Sequence, residues 1–310
     1  ALNKAAYGAT ARCCAEHPRL RGHPRDGRAR RRGVIVMKPS YSNTIDEASI
    51  RMMECDSKVG VLATEDESGY PHLSFISSIQ ALGDHALTFG QFSAGLSKQF
   101  IMDRPHVGFL ALSADKKYLS GNATYTHSAN TGKEFDVYNN KPLFRYNSYM
   151  GFYRIFYLNL DRITNLQRLP MGAIVLGAIL SRIKALFLSK SEQNALPYLA
   201  KQLIAQLDSL KFLCYYDADG EAILLPVVQA TSAGTDRIVL CQFPFGRALK
   251  QIPGGTKASV LCLNLKMESV LVKGVYTKGV LEIDRVYNSM PPKMEYIYPR
   301  SEQIEPVRNF

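Results

Sequence analysis

Two segments of this 310-residue sequence set polar clusters in strand context, and the second of them could hold a phosphate. One is Ser74-Phe-Ile-Ser-Ser78, three hydroxyls on an otherwise apolar strand pattern. The other, Phe89-Gly-Gln-Phe-Ser-Ala-Gly-Leu-Ser-Lys98, leaves a strand, passes two glycines and presents Ser97 and Lys98 at the start of a short helix expected over residues 97–102. Backbone N–H groups at a helix start, a serine hydroxyl and a lysine ammonium together suit a phosphate. Gly90 and Gly95 would let a ligand approach the backbone closely. On spacing alone, an ordinary turn with a surface lysine explains the segment equally well. His72, His106 and His127 stand apart from partners that would make a triad or a metal site. Cys55, Cys214, Cys241 and Cys262 have apolar neighbours and no CxxC spacing, and read as buried free thiols. No nucleophile–base pair is assigned.

The elements that must position these groups read as short strands. Apolar or alternating runs cover 59–64, 72–79, 86–89, 107–112, 118–126 and 152–160, with Gly83-Asp84 as a hairpin turn. Strands this short and close imply a mainly β fold, a β-barrel or sandwich with short helices. Thr44-Ile-Asp-Glu47 has capping-box spacing and predicts a helix start with Thr44 as the cap. The stretch from Phe144 to Tyr157 holds seven aromatic residues; a barrel strand with its preceding loop is preferred over a base-stacking surface. The apolar run 169–188 is broken by Arg182 and Lys184, so it reads as a packed helix and not a membrane span.

The formal charge of +11 is unevenly placed. Residues 1–36 carry nine Lys/Arg against Glu16 and Asp26, leaving a body of only +4. A basic nucleic-acid-reading domain is therefore not expected. The Arg-, Gly- and Pro-rich tail is expected to be disordered. A basic arm, an organelle transit peptide and non-native sequence ahead of a start at Met37 all remain open, the last preferred. The body is expected in the cytoplasm.

An internal repeat organises the rest. Residues 61–96 and 212–247 align without a gap, pairing Leu62, Asp66, Gly69, Leu73, Gly83, Gln91, Phe92 and Gly95 with Leu213, Asp217, Gly220, Leu224, Gly234, Gln242, Phe243 and Gly246. Further on, Lys98 meets Lys250, Val107–Leu112 parallels Ala258–Leu263, Gly121 parallels Gly274, and Val137-Tyr-Asn139 parallels Val286-Tyr-Asn288. An apolar stripe of Leu196, Leu199, Leu203, Ile204 and Leu207 supplies a leading helix for the second copy. The expected organisation is a tail over 1–36, one copy over 37–165, a helical connector over 166–195 and a second copy over 196–310.

Gly69-Tyr-Pro-His72, the Ser74–Ser78 strand, Phe89-Gly-Gln-Phe…Leu-Ser-Lys98, Arg104–Leu112 and Asp115–Gly121 resemble the pyridoxamine 5′-phosphate oxidase-like family, the FMN-binding split β-barrels. The resemblance spans roughly residues 45–165 and more faintly the second copy. It implies two tandem split β-barrels and an FMN cofactor. It places the phosphate at Ser97 and Lys98 and the flavin ring along Ser74, Ser77, Ser78 and Ile79, with Phe89, Gly90 and Gln91 on the adjoining strand. A polar residue near Lys116 would close a partner's site. It also implies an oxidoreductase acting with an unidentified small-molecule substrate or electron donor, the rival being a non-enzymatic flavin carrier, sensor or structural subunit. Departures are plain: Ser74 and Ile79 replace the usual flanking basic residues, Leu119-Ser-Gly-Asn122 replaces Trp-Arg-Gly-Lys, and the segment that grips pyridoxal phosphate is unrecognisable. In the second copy Leu225-Pro-Val-Val-Gln229 loses the serines, so that copy is expected to be structural. The two copies would form an intramolecular pseudo-dimer, with further homodimerisation left open.

Overall fold

The computed structural model describes residues 40–55, 57–91, 95–140, 151–188, 193–266, 268–290 and 294–299. The basic tail, Phe92 and the aromatic residues from Phe144 to Tyr149 lie outside them.

The first half comprises β1 (Tyr41–Ser42), α1 (Glu47–Glu54), β2 (Lys58–Glu65), β3 (Pro71–Phe75), β4 (Gln80–Leu82), β5 (Ala86–Gln91), α2 (Leu96–Asp103), β6 (His106–Ser113), β7 (Lys117–Ala129), α3 (Lys133–Asn140), β8 (Arg154–Thr164) and β9 (Gln167–Arg168). Helix α4 (Met171–Leu186) connects it to α5 (Tyr198–Ala205), β10 (Leu210–Tyr216), β11 (Ala222–Pro226), β12 (Thr231–Ala233), β13 (Arg237–Val239), α6 (Gly246–Gln251), β14 (Thr256–Leu263), β15 (Ser269–Thr277), β16 (Val280–Asn288) and β17 (Glu295–Tyr298). The first antiparallel sheet runs β3-β2-β6-β7-β8-β5-β4 and the second β11-β10-β14-β15-β16-β13-β12. Strand for strand, the two orders are the same.

In each sheet the two ends of the path are consecutive in the chain. Only residues 76–79 separate β3 from β4, and only 227–230 separate β11 from β12. So short a crossing cannot span an open sheet, and each sheet must curl into a split barrel. The crossing also explains why the alternating pattern of 72–79 is not one strand. The Ile76 N–H donates to the Gly60 carbonyl at 2.8 Å, and a Cβ on Gly60 would overlap the Ile76 carbonyl.

The apolar runs in β2 and β6 follow from burial on both faces. Leu62, Val107, Phe109 and Ala111 point into the first barrel, whereas Val61, Ala63, Leu110 and Leu112 pack with the core of the second. The seam is reciprocal: β3 packs on β14 and β15, and β11 packs on β6 and β7. That is the pattern of an isologous two-fold contact within one chain.

Two expectations shift. The cap of α1 is Asp46, whose carboxylate accepts the Ser49 N–H at 2.7 Å, while Thr44 is turned to Ser42. The pairing of Val137-Tyr-Asn139 with Val286-Tyr-Asn288 also fails, because the former lies in α3 and the latter in β16, whose counterpart is β8. The first barrel inserts α3 between β7 and β8, whereas a Lys278-Gly279 turn joins β15 to β16 directly.

Candidate functional site

Lys98 lies in the first turn of α2, a helix whose cap residue, Gly95, offers no side-chain hydrogen bond. The Lys98 N–H is taken by the Gly95 carbonyl at 3.1 Å, and the helix start presents the positive end of its dipole. Ile101 anchors α2 in the first barrel, and Leu96 packs on the seam cluster. The Ser97 side chain is buried. No hydrogen bond or ion pair reaches the Lys98 ammonium among the described residues, and burial pulls its pKa down to about 8.

His72, on β3, is buried beside it. Its ring meets Phe100 of α2 edge-on at 5.3 Å and Tyr287 of β16 at 5.0 Å, so it sits between the barrels. Nδ1 has no hydrogen-bond partner among the described residues. Burial, then the positive charge of Lys273, pushes the imidazole down to about 3, and Lys98 adds to the effect. A neutral histidine with an orphaned nitrogen and an unpaired ammonium thus face one seam. The buried imidazole nitrogen is short of a partner, and an anion with acceptor oxygens satisfies the half-buried ammonium.

The wall of this seam is an ion-pair network. Asp66 accepts N–H bonds from Ser68 and Tyr70 at 2.8 and 2.9 Å, and its other oxygen reaches Lys273 of β15 at 2.7 Å. Lys273 also donates to the Tyr296 hydroxyl at 2.9 Å. Burial opposes ionisation of Asp66, but the Lys273 contacts and the backbone donors outweigh it and hold the carboxyl below its usual range. Asp217, the repeat mate, likewise accepts from Asp219 and Glu221 and lies 3.8 Å from Arg162 of β8.

The remaining sequence-predicted residues fall into separate settings. Ser74 and Ser77 are half-buried. Ser78 is buried, its hydroxyl accepting the Gly90 N–H at 3.1 Å and donating to the Gly90 carbonyl at 3.2 Å. The side chains of Ile79 and Phe89 lie in the first barrel core, Phe89 stacked on Phe156 at 4.9 Å, so only their main chains could meet a ligand. Gln91 is half-buried at the end of β5. Lys116 is exposed at the β6–β7 turn, near the start of β2, whereas His72 pairs with Thr64 near its far end. Six strand residues, roughly 20 Å, separate those levels.

At Gly90 the close neighbour is the protein itself: a Cβ there would overlap the Phe152 ring. Tyr138 of α3 completes this cover, its hydroxyl 2.9 Å from both the Ser78 carbonyl and the Thr88 hydroxyl. In the second barrel α4 takes the corresponding place. Gly177 packs against Gln229 and the Phe243 carbonyl, and the Ser181 hydroxyl accepts the Cys241 N–H at 2.9 Å. Lys250, the mate of Lys98, is exposed.

Sequence reasoning missed His72, because Phe100 and Tyr287 reach it from elsewhere in the chain. It also missed Tyr138 and Phe152. The Asp66–Asp217 match in the repeat was a signal for the seam. Among the described residues no cluster of metal-ligating side chains is present, and no helix is long and apolar enough to cross a membrane.

No family model and no curated protein matches the chain. Among solved structures, an FMN-binding protein from Syntrophomonas wolfei is 14% identical, over 39% of this chain and 84% of its own, at a TM-score of 0.33. An F420 reductase is 18% identical over 38% of this chain and 98% of its own, at a TM-score of 0.31. A heme binding protein from Mycobacterium smegmatis is 11% identical over 74% of this chain and 87% of its own, at a TM-score of 0.29. No function is carried over from these likenesses.

Proposed function

We propose that the chain is a duplicated member of the pyridoxamine 5′-phosphate oxidase-like family that binds one FMN at the seam between its barrels. The observation that carries this reading is the half-buried ammonium of Lys98, without a partner among the described residues, in the first turn of α2. Ser97, Lys98 and the positive end of the α2 dipole would hold the phosphate, and the half-buried Ser74 and Ser77 would meet the ring. When bound, FMN supplies the redox chemistry, so no catalytic side-chain pair is required. The chain's own residues bind and orient it, and Phe100, His72 and Tyr287 exclude water from the seam. The first copy, 37–165, carries the site. The second, 196–310, closes it, because Leu225-Pro-Val-Val-Gln229 lacks the serines and Lys250 lies exposed. The barrels are then an internal pseudo-dimer joined through 166–195, working in the cytoplasm.

The activity proposed is oxidation or reduction of a small molecule. A non-enzymatic flavin carrier or sensor is favoured by one feature, the Tyr138 and Phe152 cover over β5, which narrows access for a substrate. Titration with FMN, followed by flavin fluorescence, tests binding, and one equivalent per chain is expected. Bleaching of bound flavin by NADH or NADPH with recovery in air supports the enzyme; flavin that binds but stays oxidised supports the carrier. Failure to take up FMN removes both.

A further inference from the structure

Helix α4 is built with its bulkier apolar face outward. Ile174, Gly177, Ala178 and Ser181 pack inward, three of the four being small, so the helix lies close on the second barrel. The opposite face carries Val175, Leu176, Ile179, Ile183, Leu186 and Phe187, between 46 and 84% exposed. On a helical wheel this face is an apolar band about 120° wide turned to solvent. A patch of this kind on a folded body marks an interaction surface.

We propose that this face pairs with α4 of a second copy of the chain, antiparallel across a two-fold axis. Three features select that occupant. Leu176, Ile179, Ile183 and Leu186 follow one another at steps of three, four and three residues, the ridge that interlocks with an identical helix. The exposed apolar area is on the order of 700 Å² per copy, close to what each partner contributes to a standard-sized interface. The helix's charges are turned away from the face: Arg182 donates to the Ala205 carbonyl at 3.0 Å, and Lys184 to the Lys278 and Gly279 carbonyls at 3.0 and 3.3 Å. A lipid-seated helix would instead direct such heads toward the headgroups. Antiparallel pairing also places these C-terminal cations at opposite ends of the contact and opposes the helix dipoles, whereas parallel pairing would stack like charges. The contact is separate from the seam, so it stands whether or not FMN binds.

Sedimentation velocity of the full chain at low micromolar concentration tests the pairing. The expected particle has twice the 34.6 kDa chain mass, and Ile179→Glu and Ile183→Glu should each return it to a monomer at least tenfold more readily on dilution. Both side chains are about half exposed, so circular dichroism should be unchanged; loss of fold in both variants would overturn the outward placement of α4. A monomeric wild type, a dimer indifferent to both substitutions, or a monomer that instead co-sediments with phosphatidylserine–phosphatidylcholine vesicles would also overturn the proposal, the last assigning the face to lipid.

Discussion

A single ammonium carries the proposed chemistry of the site. Lys98 is half-buried and without a partner among the described residues, and it is the group an incoming phosphate stabilises most. Such a charge-assisted contact contributes about 1.5–3 kcal/mol, so Lys98→Ala should weaken FMN binding by roughly one to two orders of magnitude. Lys250→Ala should leave it unchanged, since that side chain is exposed. Fluorescence titration of the two variants checks the assignment, and a larger loss at Lys250 would reverse it. The pKa of about 8 adds a second readout. Below that value the ammonium is charged and attracts the phosphate; above it the charge is lost, so FMN affinity should fall as pH rises through about 8. In Lys98→Arg the guanidinium stays protonated throughout, and the fall should disappear. A wild-type affinity flat from pH 7 to 9.5 would count against the role. Ser97 and Lys98 stand out as candidates in the sequence because a polar pair follows two glycines. His72 does not, because its setting is made by Phe100 and by Tyr287, two hundred residues further along.

At the scale of elements, the shared strand order of the two sheets is most visible where glycine performs the same task in both. Gly121 and Gly274 are such a pair. Each lies at or beside an irregularity in the strand register, and a Cβ would overlap the Arg162 carbonyl in one barrel and the Glu282 carbonyl in the other. Neither carbonyl can move without breaking the ladder, so Gly121→Ala and Gly274→Ala should each destabilise by about 1–3 kcal/mol. Urea unfolding measures this, and a loss in only one barrel would show that the bulges are not equivalent. Strand existence was read correctly from apolar runs, but strand ends were not. The pattern over 72–79 continues past Phe75, and only the need to close the barrel over Gly60 breaks it. Insertion of α3 was hidden for a related reason. Val137-Tyr-Asn139 matches a strand tripeptide by composition, while its helical conformation depends on the cover it forms over β5 with Phe152.

For the whole molecule, the question is what makes two barrels one body. Apolar packing along the β3–β14 and β11–β6 contacts supplies the bulk, and polar ties join the first residues of β3 and β11 to strands of the other barrel. The Ser259 hydroxyl donates to the Pro71 carbonyl at 2.6 Å, and on the other side of the pseudo-axis the Asn122 amide donates to the Ala222 carbonyl at 3.0 Å. The two aspartate turns repeat this relation with unequal weight. Asp66 and Lys273 are almost wholly buried, whereas Asp217 and Arg162 keep about a quarter of their side-chain surface exposed. Removing one partner of the buried pair strands the other charge, so Asp66→Asn should cost about 3–5 kcal/mol, while Asp217→Asn should cost less than about 1 kcal/mol. Acid acts on the same contact. Because the folded Asp66 carboxyl titrates below its unfolded value, its contribution is complete above about pH 4 and is lost as pH falls through the folded value. The wild-type protein should therefore lose stability below pH 4 more steeply than Asp66→Asn, which has already lost the titrating group. Chemical denaturation at pH 7 and pH 3 measures both slopes. Parallel slopes, or equal costs for Asp66→Asn and Asp217→Asn at pH 7, would mean that the buried pair does not hold the seam and that apolar packing alone makes the two barrels one body.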